Sequence, residues 1–99
     1  SIDKVFGYIG GNNAHLFDSV DKYKDIELVN SRHEQASGFS AEGYARATSK
    51  TGIATVTSGP GGTNLVTPIA SCFLDSVPSM FIVGDINSFE RDTSRGMRQ

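Results

Sequence analysis

The sequence predicts an α/β chain built on a three-layer parallel sheet, and two observations carry that expectation. Four short apolar runs recur about 22 to 27 residues apart, close to the ~30 of a βαβ unit. They are "KVFGY" (4–8), "IELVN" (26–30), "GIATVTS" (52–58) and "SMFIVGD" (79–85). Between them the apolar residues fall at helical spacing instead. Strand–helix alternation of this kind produces parallel strands joined by right-handed crossovers.

Each element has its own signal. The strands are short, rich in Val, Ile, Phe or Thr, and bounded by Gly, Asn, Ser or Pro. Residues 14–23 place Leu16, Phe17, Val20 and Tyr23 on one helical face. Residues 33–49 place Ala36, Phe39, Ser40, Gly43, Tyr44 and Ala47 at helical spacings. Gly38 and Gly43 inside that helix each cost ~1 kcal/mol relative to Ala, so a close approach to another backbone is expected there. Residues 62–75 align Leu65, Ile69, Cys72 and Phe73, with Pro68 a kink or a first-turn residue. After Asn87 the chain is polar and alternates in charge, as a surface loop or a partner-ordered segment does. "MFIVG" is apolar at consecutive positions, like a strand covered on both faces. Three helices do not cover it, so residues 1–99 are expected to form an incomplete domain.

Composition narrows the function. Nine Lys and Arg against eleven Asp and Glu give a net charge of −2, with the basic residues scattered. That leaves no footprint for nucleic acid or an acidic membrane surface. No apolar run approaches the ~20 residues of a membrane span, and "SIDKV" lacks the start of a secretory signal. Cys72 is the single cysteine and has apolar neighbours, which suggests a buried thiol in a reducing compartment. A cytoplasmic protein is expected. His15 and His33 lie on different elements without metal-ligand spacing, so no metal site is expected within the chain.

In parallel α/β sheets, ligands gather beyond the carboxyl ends of the strands. Here those ends carry "GYIGGNN", "SRHEQ", "TSGPGGTN" and "GDIN". Glu34 has two readings. Ser31-Arg32-His33-Glu34 fits the S-x-x-E capping box, in which the glutamate reaches back to the cap N–H. A carboxyl group at a strand end is equally placed to meet a bound molecule. "TSGPGGTN" suggests phosphate at a helix N-terminus, but it lacks the Lys-Ser/Thr of a Walker A loop and ends on Asn64 rather than glycine. "GYIGGNN" alone reads as a tight turn.

Taken together, "VFGYIGGNNAHLFDSV", "RHEQASGFSAEGYARAT" and "TSGPGGTNLVT" resemble the N-terminal, pyrimidine-binding domain of the thiamine-diphosphate-dependent acetolactate synthase and pyruvate oxidase family. The similarity covers about residues 4–87. It implies a sheet with flavodoxin-like connections and visible strand order 2-1-3-4. It implies that Glu34 is catalytic, exchanging a proton with N1′ of the cofactor's aminopyrimidine, and that Tyr8, Pro60 and Asn64 line the cofactor site. The cofactor would be thiamine diphosphate, and the substrate a 2-oxo acid such as pyruvate. Mg²⁺ and the diphosphate would be held by a domain absent from these residues, supplied by another subunit of a homodimer or homotetramer. FAD in a further domain stays open. Residues 1–99 alone would then be inactive. Two departures from the family pattern stand out: Ile9 replaces a proline and Asp85 a glutamine. From other classes, a noncatalytic phosphate- or nucleotide-binding module and a structural assembly domain remain as alternatives.

Overall fold

The four apolar runs pair as parallel strands β1 (Lys4–Gly7), β2 (Glu27–Asn30), β3 (Gly52–Val56) and β4 (Ser79–Val83), in the order β2-β1-β3-β4. The computed structural model describes residues 1–91, so the last eight of the polar C-terminal stretch lie outside the described residues. The helices are α1 (Ala14–Lys22), α2 (Glu34–Thr48), the short α3 (Pro60–Thr63) and α4 (Val66–Leu74), followed by a 3₁₀ turn at Ser88–Glu90. The order and connections are those of a flavodoxin-like α/β sheet.

The register explains the core. Val29, Phe6, Ala54 and Phe81 are cross-strand partners on one face of the sheet, and α2 lays Ala41 and Tyr44 across them. The phenyl ring of Phe6 meets the Tyr44 ring at 5.9 Å between centroids. Alternation along β1 turns Gly7 to the opposite face, where an added Cβ would lie 2.7 Å from the Phe17 ring of α1. So α1 and α2 sit on opposite faces, and α4 joins α2's layer. That is the three-layer arrangement.

The face of α2 that packs inward is not the one the helical spacing selects. Ser37, Gly38, Ala41, Glu42 and Ala45 are buried, while Ala36, Phe39, Ser40, Gly43 and Ala47 are exposed. Small residues occur all round this helix, so their period does not distinguish its faces. What decides is fit. Gly52 at the start of β3 has no room for a Cβ beneath the Ala41 carbonyl, and Gly38 has none beneath the Pro68 ring. The close approach expected at Gly38 therefore exists, against α4. Gly43 has nothing near it and faces outward.

Glu42 holds the same seam by charge. It is 6% exposed, and its Oε1 accepts from Arg46 Nη2 at 2.7 Å and Ser71 Oγ at 3.0 Å. Arg46 bridges onward to Asp75 at 2.5 Å. A buried carboxylate is tolerable only when paired this way.

The expected helix 62–75 is two helices. Pro68 has no N–H for the Asn64 carbonyl, and its ring would collide with that carbonyl in a continuous helix. The chain instead breaks at 64–65 and restarts, which puts Pro68 in the first turn of α4. Leu65 and Cys72 of the expected stripe are buried, but Ile69 and Phe73 are exposed. On α1, Phe17 is buried and Tyr23 is not. β4 is an edge strand whose Met80 and Ile82 are exposed.

Candidate functional site

Parallel strands put all their carboxyl ends at one edge, and the turns that leave that edge meet there. The β1 turn is held by two asparagines. Asn13 is buried; its Oδ1 accepts from Gly10 N at 2.7 Å and its Nδ2 donates to the Tyr8 carbonyl at 3.1 Å. Asn12 reaches the β3 turn, donating from Nδ2 to Ser58 Oγ at 2.6 Å and from its backbone N–H to Thr57 Oγ1 at 3.2 Å. Gly84, beyond β4, packs directly on the Asn12 backbone. Three turns thus brace one another. The partners of Asn12 were not expected, because those bonds join residues more than forty positions apart and leave no local pattern.

At the start of α2 the capping box does not form. The Ser31 N–H extends the sheet ladder to the Gly7 carbonyl at 2.8 Å, so it is not free for Glu34. Ser31 Oγ pairs with Ser37 Oγ at 2.6 Å. The helix is capped by His33, whose Nδ1 accepts from Gln35 N at 3.1 Å. Glu34 is the first helical residue, where the positive end of the helix dipole favours a carboxylate. Its Oε2 accepts from Asn64 Nδ2 at 3.0 Å across thirty residues of sequence.

The helices themselves create that contact. Glu34 and Gly38 are one turn apart on α2, and Asn64 precedes Pro68 by four on the other chain segment. The Pro68 ring seats on Gly38, bringing the two segments together, and the break forced by Pro68 releases Asn64 to face Glu34. Gly38 is thus a site-shaping residue that its sequence context marked only as a close approach. Gly59 enters the turn at φ 63°, ψ −124°, a conformation that requires glycine. Pro60 opens α3 with its missing N–H at no cost, and its carbonyl accepts from Asn64 N at 3.0 Å.

The structure therefore joins Glu34 and Asn64 directly and stands Pro60 four residues before Asn64 on the same turn. Tyr8 is on the adjacent β1 turn. Its ring is 39% exposed, and its hydroxyl makes no hydrogen bond among the described residues. A shallow cleft lined by Ile9, Phe17 and Leu28 lies on the α1 side and takes no part in this cluster. Among the described residues no group of His, Cys, Asp and Glu could hold a metal ion. No helix among them is long and apolar enough to cross a membrane.

Glu34 offers a bound heterocycle one carboxyl oxygen. Among the described residues Oε1 has no hydrogen-bond partner, and a Cβ added to Gly61 would lie 3.8 Å from it. An aminopyrimidine nitrogen pairs with a carboxyl oxygen, so this oxygen suits the pyrimidine end of thiamine diphosphate.

Over residues 1–99 the sequence matches the family described as thiamine pyrophosphate enzyme, N-terminal TPP binding domain. It is 44% identical over 86 residues to the mitochondrial acetolactate synthase catalytic subunit of Saccharomyces cerevisiae, covering 87% of this chain and 12% of that protein. The acetolactate synthase large subunit of Lactococcus lactis subsp. lactis is 44% identical over 85 residues, covering 86% of this chain and 15% of that protein. That of Haemophilus influenzae is 45% identical over 87 residues, covering 88% and 15%. The chain spans 12% to 15% of the length of these relatives.

Proposed function

The chain belongs to the thiamine pyrophosphate enzyme family as an N-terminal TPP-binding domain, and from that premise we propose that it supplies the pyrimidine-binding half of an acetolactate synthase-like active site. The observation that carries this reading is the Glu34–Asn64 pair, which leaves Glu34 Oε1 open at the carboxyl edge of the sheet. When bound, thiamine diphosphate would supply the carbon nucleophile and electron sink for a 2-oxo acid such as pyruvate. Glu34 would hold and exchange a proton with the pyrimidine nitrogen N1′ through Oε1. Asn64, Pro60 and Tyr8 would wall the ring on the two neighbouring turns. The noncatalytic phosphate-binding alternative draws no support from α3, which is only four residues long.

The rest of the site would come from elsewhere. Mg²⁺ and the diphosphate would be held by a second domain, contributed by another subunit of a homodimer or homotetramer. Supporting this, Phe73 and Leu74 at the end of α4 are 82% and 78% exposed, and Val66 of α4 and Phe39 of α2 are exposed as well. An apolar surface of that kind marks an interface. Sedimentation of the intact protein should show a dimer or tetramer; a monomer at assay concentration contradicts this part of the reading. A cytoplasmic location is proposed from the buried, unpaired Cys72, and cell fractionation checks it.

Glu34→Gln in the intact protein tests the function. The amide keeps the size of the side chain but cannot exchange a proton with a ring nitrogen. Turnover should fall at least ~100-fold at saturating thiamine diphosphate, with the fold retained. Near wild-type turnover would overturn the catalytic assignment.

A further inference from the structure

Glu34 and Asn64 divide one carboxyl group into an occupied and an open oxygen. A carboxylate has two equivalent oxygens, and the torsion that exchanges them is soft. A proton arriving at a lone glutamate could therefore reside on either. The Asn64 amide removes that symmetry, because a carboxylate only accepts and Nδ2 only donates. At 3.0 Å the Nδ2–H bond holds Oε2 as an acceptor. A proton on Oε2 would weaken that oxygen as the acceptor of the Asn64 N–H, so the neutral acid favours its proton on Oε1.

Gly61, buried in α3, places no side chain beside that oxygen. An added Cβ there would stand in ordinary contact with Oε1 at 3.8 Å, and 3.0 Å from Thr57 Cγ2. Any longer side chain would occupy the space beside the oxygen. From this geometry we infer that Asn64 is a positioning residue that assigns the exchangeable proton of Glu34 to Oε1, and that the missing side chain of Gly61 leaves that oxygen free for a ring nitrogen. The inference rests on the cofactor reading above. It adds which oxygen acts and what makes it act.

The charged and titratable groups around Glu34 are few. Arg32 and His33 precede it, and the His33 Nδ1 is engaged by Gln35. Glu42, further along α2, is committed to Arg46 and Ser71. The segment Pro60–Leu65 carries none, α4 carries only Cys72 near its far end, the β1 turn offers Tyr8, and Asp85 follows β4.

The test uses the intact protein, thiamine diphosphate as the probe, and titration calorimetry in buffers of different ionisation enthalpy, which counts protons exchanged on binding. Asn64→Asp sets a second carboxyl group beside Oε2, and two such groups share a proton. The pH at which binding exchanges protons should rise by about one unit or more. Asn64→Leu removes the donor and should weaken binding about tenfold. Gly61→Leu should weaken it at least as much. In Asn64→Leu the number of protons exchanged per cofactor bound should also change, whereas a purely structural role for Asn64 would weaken binding without moving that count. An unchanged pH dependence in Asn64→Asp, or wild-type affinity in Gly61→Leu, overturns the inference. If either occurs while Glu34→Gln still abolishes turnover, the proposed function stands and only the oxygen assignment falls.

Discussion

Asp3 at the amino edge of the sheet and Glu34 at its carboxyl edge are treated in opposite ways, although Asp85 beyond β4 is paired with Arg91. At the amino edge, where β1 and β3 begin, charge is matched by charge. Asp3 accepts from Lys50 Nζ at 2.9 Å and from the Tyr44 hydroxyl, and Lys4 pairs with Glu27. At the carboxyl edge Glu34 meets one neutral amide and, among the described residues, keeps an oxygen without a hydrogen-bond partner. Both edges are reached by the same helix, since α2 begins at Glu34 and ends near Tyr44 and Lys50. One end of the helix is fastened, and the other presents the carboxyl group proposed to act on the cofactor. Pairing stabilises a fold but occupies the groups it uses, so a proton-exchanging carboxyl group has to be left partly unpaired.

Substitutions at the two edges should separate accordingly. Glu34→Gln should produce the largest change in activity while leaving stability within ~1 kcal/mol, because the side chain makes no capping bond to lose. If thermal unfolding shifted as strongly as turnover, the contrast between the edges would be false. Gly52→Ala should do the reverse. Its new methyl group meets the Ala41 carbonyl, so stability should drop by roughly 1–3 kcal/mol, read from denaturant unfolding, with thiamine diphosphate affinity kept in the molecules that remain folded. Loss of affinity there would show that the edges are coupled through α2.

The smallest effect is expected at Asp3. Hydrogen bonds from Lys50 and Tyr44 hold its carboxyl group down at about 2, against an ordinary 3.8. A carboxyl group whose folded value is depressed adds stability above its unfolded value and loses it as pH falls through the folded one. The stability advantage of wild type over Asp3→Asn should therefore be complete above about pH 4 and vanish as pH approaches 2. Solvent exposure at this cluster keeps the advantage modest. A difference that persists undiminished at pH 2 would mean the contribution is packing and not charge.

How far this contrast is legible in sequence depends on the range of the contacts. The strands are plain, because short β-branched runs end at Gly, Asn and Pro within a few residues. The helix inside "RHEQASGFSAEGYARAT" is plain too, but its buried face is not. Ala, Ser and Gly fall on both sides, and only the seating of Pro68 on Gly38 and the burial of Glu42 distinguish them. The capping box fails for a similar reason. Its motif is complete, yet the Ser31 N–H is claimed by Gly7, which no window around Ser31 contains. Asn64 entered as a site residue through resemblance to the thiamine-diphosphate enzymes. Its bond to Glu34 follows from Pro68 breaking the helix, a rule visible in sequence once the two helices are known to touch. Asn12 and Ser58 carry no such cue.

The central claim is that Glu34 Oε1 receives the cofactor's pyrimidine while Asn64 keeps Oε2. A crystal structure of the intact protein with thiamine diphosphate measures this directly. The account predicts N1′ within hydrogen-bonding distance, roughly 2.6–3.0 Å, of Oε1, with the Asn64 amide still on Oε2 and Gly61 beside the ring. A pyrimidine bound away from Glu34, or held through Oε2 with Asn64 displaced, would contradict it.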